Sequence, residues 1–327
     1  MEEPMTASIS GNAKFALPAH RTRWNHRPLS RVYEQGVVYS AGRYYPLSDV
    51  TSCCLSHNAR QIYAQATVSL WDGMFFCLDE VIDRIEALKK ELKLRFAEPV
   101  DIRETIMMLA ALGGLRDACT QVSLVAAPAL KGSVSDPGLA EICAIAAPFG
   151  QLWDQEITTT MSAQIIETTR TDKPSSQGSL RISHRNCALF GAVASQRCEV
   201  SGSSTLIQSR DGYIVGGTSS HIFALVDGTW LSSSGSQFGC VVQGSVANLM
   251  RQMNLKIVEE RVRIESLFRA DEIFATTAAG GILPIAVVNN QRVGNGGHIA
   301  TGEIFREFWT RRADGWRGSP AAYLPEI

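Results

Sequence analysis

The sequence has almost no net charge and no long apolar run. Its 31 Lys and Arg residues balance 32 Asp and Glu residues, for a net charge of −1, so the basic excess typical of nucleic-acid-binding proteins is missing. No stretch reaches the ~20 apolar residues that span a bilayer. The start, Met1 to Pro4, lacks the basic and apolar regions of a signal peptide. We therefore expect a cytoplasmic globular protein without nucleic-acid or membrane partners.

The cysteine pattern lacks the common metal and redox motifs. None of the eight cysteines forms a Cys-x-x-Cys pair, the spacing typical of zinc sites and thiol oxidoreductases. His184 and Cys187 are the nearest metal-like pair, and they lack partners at ligand spacing. A P-loop and a Gly-x-Ser-x-Gly nucleophile turn are also missing. We expect reduced, mostly buried thiols and no metal.

The composition predicts a large core divided between two domains. The chain has 327 residues, 45% of them hydrophobic, which is more than one small core needs. Pro148 to Gln151 interrupts the pattern of apolar segments. We therefore predict a smaller N-terminal α/β domain at 1–149, with an irregular arm to about residue 29, and a larger C-terminal domain at 150–327.

Hydrophobic periodicity predicts the main elements. Apolar residues recur at helical spacing from Asp79 to Lys93, which indicates an amphipathic helix, and a second helix is expected at 102–115. Turn residues between apolar runs predict a hairpin at 36–47. Further strands are predicted at 121–126, 141–147, 222–226, 257–262 and 271–276, and a further helix at 244–253.

Two strings in the second half carry a family resemblance. One is Leu180-Arg181-Ile182-Ser183-His184-Arg185-Asn186, which leads into a helical stretch at 187–198, and the other runs from Asp211 to Phe223. Both resemble the core of the fold-type IV pyridoxal-phosphate enzymes, the superfamily of branched-chain aminotransferases, D-amino acid aminotransferases and aminodeoxychorismate lyases. Segments 68–86 and 271–285 resemble the fungal (R)-selective amine transaminases within it.

This resemblance covers roughly residues 36 to 323 and implies a fold and an assembly. The fold is mixed α/β, with a smaller first domain and a larger second domain built on a barrel-like mixed sheet with helices. The assembly is a homodimer with active sites near the subunit interface. Besides the second copy of the chain, the expected partner is a small-molecule substrate or ligand.

Two residues that define the family's chemistry are replaced. Arg181 stands where the resemblance places the lysine that binds the cofactor covalently, and Gly216 where it places the glutamate that pairs with the pyridine nitrogen. A guanidinium stays protonated and offers no primary amine, so Arg181 cannot take over the covalent role. Gly216 has no carboxylate to keep the ring nitrogen protonated. We therefore expect no cofactor and only a vestigial pyridoxal-phosphate site.

The residues expected at the cofactor's phosphate are partly kept. Arg84 matches the family's phosphate-binding arginine, whose guanidinium can grip oxygens bidentately; the alternative is a solvated helix arginine. Gly239 and Cys240 match a Gly-(Ile/Val)-Thr turn whose threonine is a valine here. Thr277 matches one of two phosphate-side threonines, and alanine replaces the other.

Five residues are candidates for acid-base or oxyanion-binding roles in a remodelled pocket: Arg181, His184, His221, His57 and Tyr63. His221 replaces the family's asparagine, and a hydrogen-bonded structural histidine is equally consistent with the sequence. His57 and Tyr63 belong to Val50 to Ala66, a segment longer than in the family. Insertions at a surface or over a pocket often alter function, although a decorative surface loop fits as well.

Three functional hypotheses remain open. The first, which we favour, is a cofactor-independent cyclisation, isomerisation or elimination of a small molecule of specialised metabolism in the inherited pocket. The second is a noncatalytic pseudoenzyme that binds a ligand or a paralogue. The third is a pyridoxal-phosphate-dependent (R)-amine transaminase that uses an atypical lysine. Of the seven lysines, Lys173 alone lies near position 181 in sequence, and an ordinary loop lysine is the simpler interpretation.

Overall fold

The structure of the protein is a computed structural model. It describes residues 36–40, 42–47, 62–96, 99–126, 139–148, 160–167, 205–217, 220–233, 241–277 and 281–322.

The described helices and strands form two sheets with helices packed between and around them. The strands are β1 (Val37–Ser40), β2 (Arg43–Pro46), β3 (Ile62–Trp71), β4 (Met74–Phe76), β5 (Arg95–Phe96), β6 (Ala118–Ala126), β7 (Leu139–Pro148), β8 (Met161–Glu167), β9 (Thr205–Arg210), β10 (Tyr213–Gly217), β11 (Ser220–Val226), β12 (Thr229–Ser233), β13 (Ile257–Glu260), β14 (Glu272–Thr277), β15 (Ile282–Val288), β16 (Gln291–Arg292) and β17 (Gly318–Pro320). The helices are α1 (Leu78–Glu91), α2 (Ile102–Gly113), α3 (Val241–Gln252), α4 (Ile264–Phe268) and α5 (Ile299–Ala313).

The predicted helices of the first half are confirmed, and their ends have local causes. α1 buries Val81 and Ile85 on one face and has Asp79 and Glu80 in its first turn, where acidic groups favour the helix dipole. α2 begins after Asp101, whose carboxylate accepts from the Glu104 N–H at 2.9 Å. A glycine in the left-handed conformation then ends α2.

The first sheet has the order β17-β4-β3-β6-β7-β1-β2, with β5 on β7. The hairpin predicted at 36–47 is confirmed as β1 and β2. The interpretation of residues 50–66 as an inserted loop is wrong for its last part, because β3 begins at Ile62 and pairs with β6 from there. The register shifts between Ile62 and Ala64, so the backbone of Tyr63 forms a bulge in the strand.

The second sheet closes on itself. Its order is β10-β9-β8-β15-β14-β11-β12-β13, and β10 also pairs with β11. Six strands therefore make a barrel-like ring with both parallel and antiparallel pairs, which confirms the predicted mixed α/β fold. β17 lies in the first sheet although it follows every strand of the second. The division into two domains near residue 150 stays a prediction.

A shared hydrophobic cluster joins the sheets. Trp71 and Phe76 from the first sheet pack with Phe223 and Phe274 from the second and with α3 and α5. Phe223 and Phe274 stack at a centroid distance of 4.8 Å. The two sheets are thus held together through helices of the second half. None of the described helices is long and apolar enough to cross a membrane.

Candidate functional site

One end of the second sheet brings together two of the described candidate residues, His221 and Thr277. β12 and β13 are parallel and α3 connects them, so α3 begins beside the end of β12. β11 is antiparallel to both β12 and β14, which places its start beside their ends. We call the start of β11, the ends of β12 and β14 and the first turn of α3 the site end.

His221, at the start of β11, is buried and neutral. Its side chain is 1% exposed, and Nε2 lies 3.0 Å from the Ser232 hydroxyl. Burial lowers the pKa of His221 to about 4, against a smaller opposing effect of Glu259. The imidazole is therefore uncharged at neutral pH. An acid-base role of His221 stays a prediction, and at neutral pH such a role would begin from the uncharged imidazole.

Several buried polar groups at the site end have spare hydrogen-bonding capacity. His221 and Thr276 face each other across β11 and β14, and Ser220 faces Thr277. Within the described part of the chain, His221 Nδ1, Thr276 Oγ1 and Ser220 Oγ have no hydrogen-bond partner. Buried polar groups in proteins are normally paired, so these three groups are available to hydrogen-bond a ligand.

Thr277 keeps a hydroxyl proton available. Its Oγ1 accepts from the Gly281 N–H at 3.2 Å, and its own N–H donates to the Gly281 carbonyl at 3.0 Å. These bonds hold the β14–β15 connection closed at the site end. Because a hydroxyl both donates and accepts, the Thr277 O–H, which only accepts in this bond, has the chemistry to donate to an anion.

The first turn of α3 packs against the hydrophobic cluster of the first sheet. Val241 lies against this cluster, to which Val81 and Ile85 of α1 also belong, and Arg84 lies between these two residues in sequence. The first turn of α3 contains no acidic side chain. The first N–H groups of a helix and the positive end of its dipole suit an anion, and carboxylates in the first turn would compete with it.

Gly216 has a backbone that disfavours a longer side chain. Its φ is +151°, and a Cβ there would lie 3.3 Å from the Ser220 carbonyl oxygen. The register of β10 against β9 also shifts between Ile214 and Gly216. The local backbone therefore suits a glycine at this position, where the family resemblance places a glutamate.

Only some of the predicted site residues lie where the structure describes them. His221 and Thr277 lie together at the site end, and Arg84 lies on α1. The backbone of Tyr63 lies in β3, and its side chain is outside the description. The predicted residues outside the described ranges are His57, Arg181, His184, Gly239 and Cys240.

The sequence interpretation missed the hydroxyl groups around His221. Ser220, Ser232 and Thr276 interrupt apolar strands at positions that the pairing brings together. A polar residue within an otherwise apolar strand is the sequence signal that could have identified these hydroxyl groups. Within the described ranges, no three His, Cys, Asp or Glu side chains are grouped closely enough to hold a metal ion.

Comparisons with known proteins extend the family resemblance. A D-alanine aminotransferase from Bacillus licheniformis is 23% identical over 240 residues, 70% of this chain and 80% of that protein. A "Probable branched-chain-amino-acid aminotransferase" from Aquifex aeolicus is 27% identical over 109 residues, and this chain spans 35% of its length. The T.th. branched-chain amino acid aminotransferase with pyridoxamine 5'-phosphate superimposes with a TM-score of 0.72 at 17% identity, covering 88% of this chain and 99% of that one.

The expectation of no cofactor is wrong. The structure of the T.th. enzyme contains pyridoxamine 5'-phosphate, and the comparisons point to pyridoxal phosphate rather than to none. The site end fits such a group, because the first turn of α3 has no acidic side chain and a threonine hydroxyl such as that of Thr277 can donate to a phosphate. Phosphate contacts do not depend on a lysine, so the predicted replacement of the lysine at position 181 leaves these contacts possible.

The match to the family itself is extensive. The family described as Amino-transferase class IV matches residues 66–288, which is more than half of the 327 residues. The matched range includes most of β3 and continues to β15, and therefore holds the whole site end. This chain belongs to the class IV aminotransferase family.

Proposed function

We propose that the protein binds pyridoxal phosphate at the site end and uses it to transfer amino groups to and from a small amine or amino acid. The observation that carries this proposal is the first turn of α3, which has no acidic side chain and lies at the same end of the second sheet as Thr277 in a chain of the aminotransferase family. A phosphate monoester carries the charge and oxygen acceptors that such a helix start binds.

Each remaining residue has a defined role in this proposal. The N–H groups at the start of α3, together with Gly239 and Cys240, hold phosphate oxygens. Arg84 adds charge-assisted hydrogen bonds, and Thr277 donates its spare proton. Neutral His221 offers Nδ1 as one further hydrogen-bonding group for the cofactor or substrate. When bound, the cofactor supplies an aldehyde and an electron-withdrawing ring.

Arg181 determines how the cofactor is retained. A guanidinium cannot form the covalent bond that a lysine amine forms, so we propose that phosphate contacts hold the cofactor without a covalent link at position 181. Arg181 then contributes charge and hydrogen-bond donors. The second candidate is a covalent link to Lys173, favoured by the position of that lysine eight residues earlier in sequence.

The test is a titration of the purified protein with pyridoxal phosphate, followed by absorbance. We expect one cofactor per chain, and no cofactor–protein adduct after borohydride reduction and mass spectrometry. Arg84→Gln should weaken binding roughly 10- to 100-fold, the range expected for a charge-assisted hydrogen bond. Arg103→Gln, which removes an exposed arginine paired with Asp79, is the control and should bind as the parent does.

The outcomes separate the alternatives. No binding by the parent protein would overturn the proposal. A stoichiometric adduct on Lys173 would replace noncovalent retention by the atypical-lysine candidate. Binding without amine transfer to any tested oxo acid would favour the noncatalytic ligand-binding hypothesis. The homodimer, the cytoplasmic address and the likeness to (R)-selective amine transaminases stay predictions.

A further inference from the structure

A three-way polar contact connects the two helices of the proposed phosphate site. Arg317, just before β17, donates from Nη1 to the Ser245 hydroxyl of α3 at 2.6 Å. Its Nη2 donates to Glu80 Oε1 of α1, also at 2.6 Å. We call these contacts the Arg317 bridge. One guanidinium thus links the second turn of α3 to the first turn of α1.

Ser245 transmits this contact to the start of α3. Its buried hydroxyl donates to the Val241 carbonyl at 2.9 Å, so its lone pairs are left to accept from Arg317. The Cys77 Sγ lies 3.3 Å from the same oxygen. Burial raises the pKa of Cys77 to about 11, so the group stays a thiol and can donate. The Ser245 oxygen is therefore a centre that ties Val241, Arg317 and Cys77 together.

The backbone around the bridge is held in an uncommon conformation. Cys77 has φ +55° and Arg317 has φ +53°, both in the left-handed region that residues with a Cβ seldom adopt. The two residues are also joined by a backbone bond from the Cys77 N–H to the Arg317 carbonyl at 2.8 Å. Such conformations persist where surrounding contacts hold them. The bridge is thus fixed at its backbone as well as at its side chains.

The charge of Arg317 is placed against the usual preference of a helix. Cations stabilise the C-terminal end of a helix and disfavour the N-terminal end, yet this guanidinium contacts the second turn of α3. The first turn of α3 has no acidic side chain, and among the described residues the ion-pair partner of Arg317 is Glu80. An anion bound at the first turn would offset the remaining positive potential.

We propose that Arg317 is a positioning residue for phosphate binding. Through Ser245 it fixes the first turn of α3, and through Glu80 it fixes α1, so that the N–H groups of α3 and Arg84 meet the same phosphate. Arg317 acts through these helices and does not itself contact the cofactor. This inference rests on the proposed function, since it specifies how that site is assembled.

The experiment compares a ligand with phosphate and one without it. Dissociation constants of pyridoxal phosphate and pyridoxal are measured for the parent, Arg317→Gln and Arg251→Gln. Arg317→Gln should weaken pyridoxal phosphate binding roughly tenfold, at the low end of losses when a residue that orients a ligand-binding group is removed. Binding of pyridoxal should change less than about twofold. A general loss of structure would weaken both ligands alike.

Arg251→Gln is the matched control, because Arg251 lies on the last turn of the same helix and pairs with Glu259. It should bind both ligands as the parent does. Ser245→Ala is a second variant that changes no charge, and it tests the inference if Arg317→Gln does not fold. It should weaken the binding of pyridoxal phosphate and leave the binding of pyridoxal almost unchanged.

The results distinguish this inference from the proposed function. A parent protein that binds no pyridoxal phosphate overturns both. If the parent binds it and folded Arg317→Gln or Ser245→Ala binds it equally well, the positioning role is overturned and the proposed function is not. Equal losses for pyridoxal phosphate and pyridoxal also overturn the positioning role.

Discussion

At the scale of single residues, burial decides the chemistry of His221. The imidazole is 1% exposed and packs edge-on against Phe223 at a centroid distance of 5.3 Å. The ordinary pKa of histidine is 6.5, and burial lowers the pKa of His221 to about 4. A sequence shows that a histidine is present, but it does not show how far water is excluded from it.

This shift predicts an acid-dependent loss of stability. Between pH 6.5 and 4 the unfolded chain takes up a proton at this position while the folded chain does not, so the free energy of unfolding falls as the pH falls. The full effect is on the order of 3 kcal/mol. Urea unfolding at pH 7 and 4.5 measures it, and His221→Asn should reduce the difference between the two pH values.

His298 is the control for this measurement, because burial also lowers its pKa. His298→Asn should remove the part of the pH dependence of stability that comes from His298. The larger part, which comes from His221, should remain. If His221→Asn keeps the whole pH dependence of the parent, the buried neutral state of His221 is not its source.

At the scale of secondary-structure elements, two helix starts in the second half differ in charge. The buried carboxylate of Glu272 accepts from the Ala300 N–H at 3.0 Å and from the Thr301 N–H at 2.7 Å. Glu272, which lies on β14, thereby accepts hydrogen bonds from the first N–H groups of α5. Neither helix has an acidic side chain in its own first turn, and the start of α5 is satisfied by a carboxylate from a neighbouring strand.

Glu272→Gln should destabilise the protein without affecting cofactor binding. The amide lacks the negative charge that favours the helix dipole, and it retains one acceptor oxygen for two N–H donors, so we expect a loss of about 1–3 kcal/mol. Thermal and urea unfolding measure this loss. Glu303→Gln, an exposed change on the same helix, should be neutral. Equal effects of the two variants would contradict the capping role of Glu272.

At the scale of the whole molecule, the buried Arg312 lies where α5 meets the first sheet. Its guanidinium carbon is 4.7 Å from the ring centroid of Phe76 and 4.9 Å from that of Trp309. Burial lowers the pKa of Arg312 to about 9. Among the residues described, its Nη1 has no hydrogen-bond partner. The cation therefore packs mainly against aromatic faces.

Arg312 should contribute to stability through its volume more than through its charge. Arg312→Met keeps most of the volume and makes favourable sulfur–aromatic contacts, while it removes the cost of burying a cation. We expect its unfolding free energy within about 1 kcal/mol of the parent value or higher, and a loss of about 2–4 kcal/mol for Arg312→Ala. If urea unfolding shows equal losses for both variants, the charge itself is required.

The sequence alone indicated the family and those helices and strands that have a clear hydrophobic periodicity, and the replacement of the family's lysine by Arg181 stays a prediction. These depend on local information: hydrophobic periodicity sets elements, and the functional group of a side chain sets which bonds it can form. The tertiary structure decided the pKa of His221, the hydrogen bonds between Thr277 and Gly281, and the Arg317 bridge. The two contacts of that bridge join residues 72 and 237 positions apart, and such a meeting depends on how the sheets and helices pack.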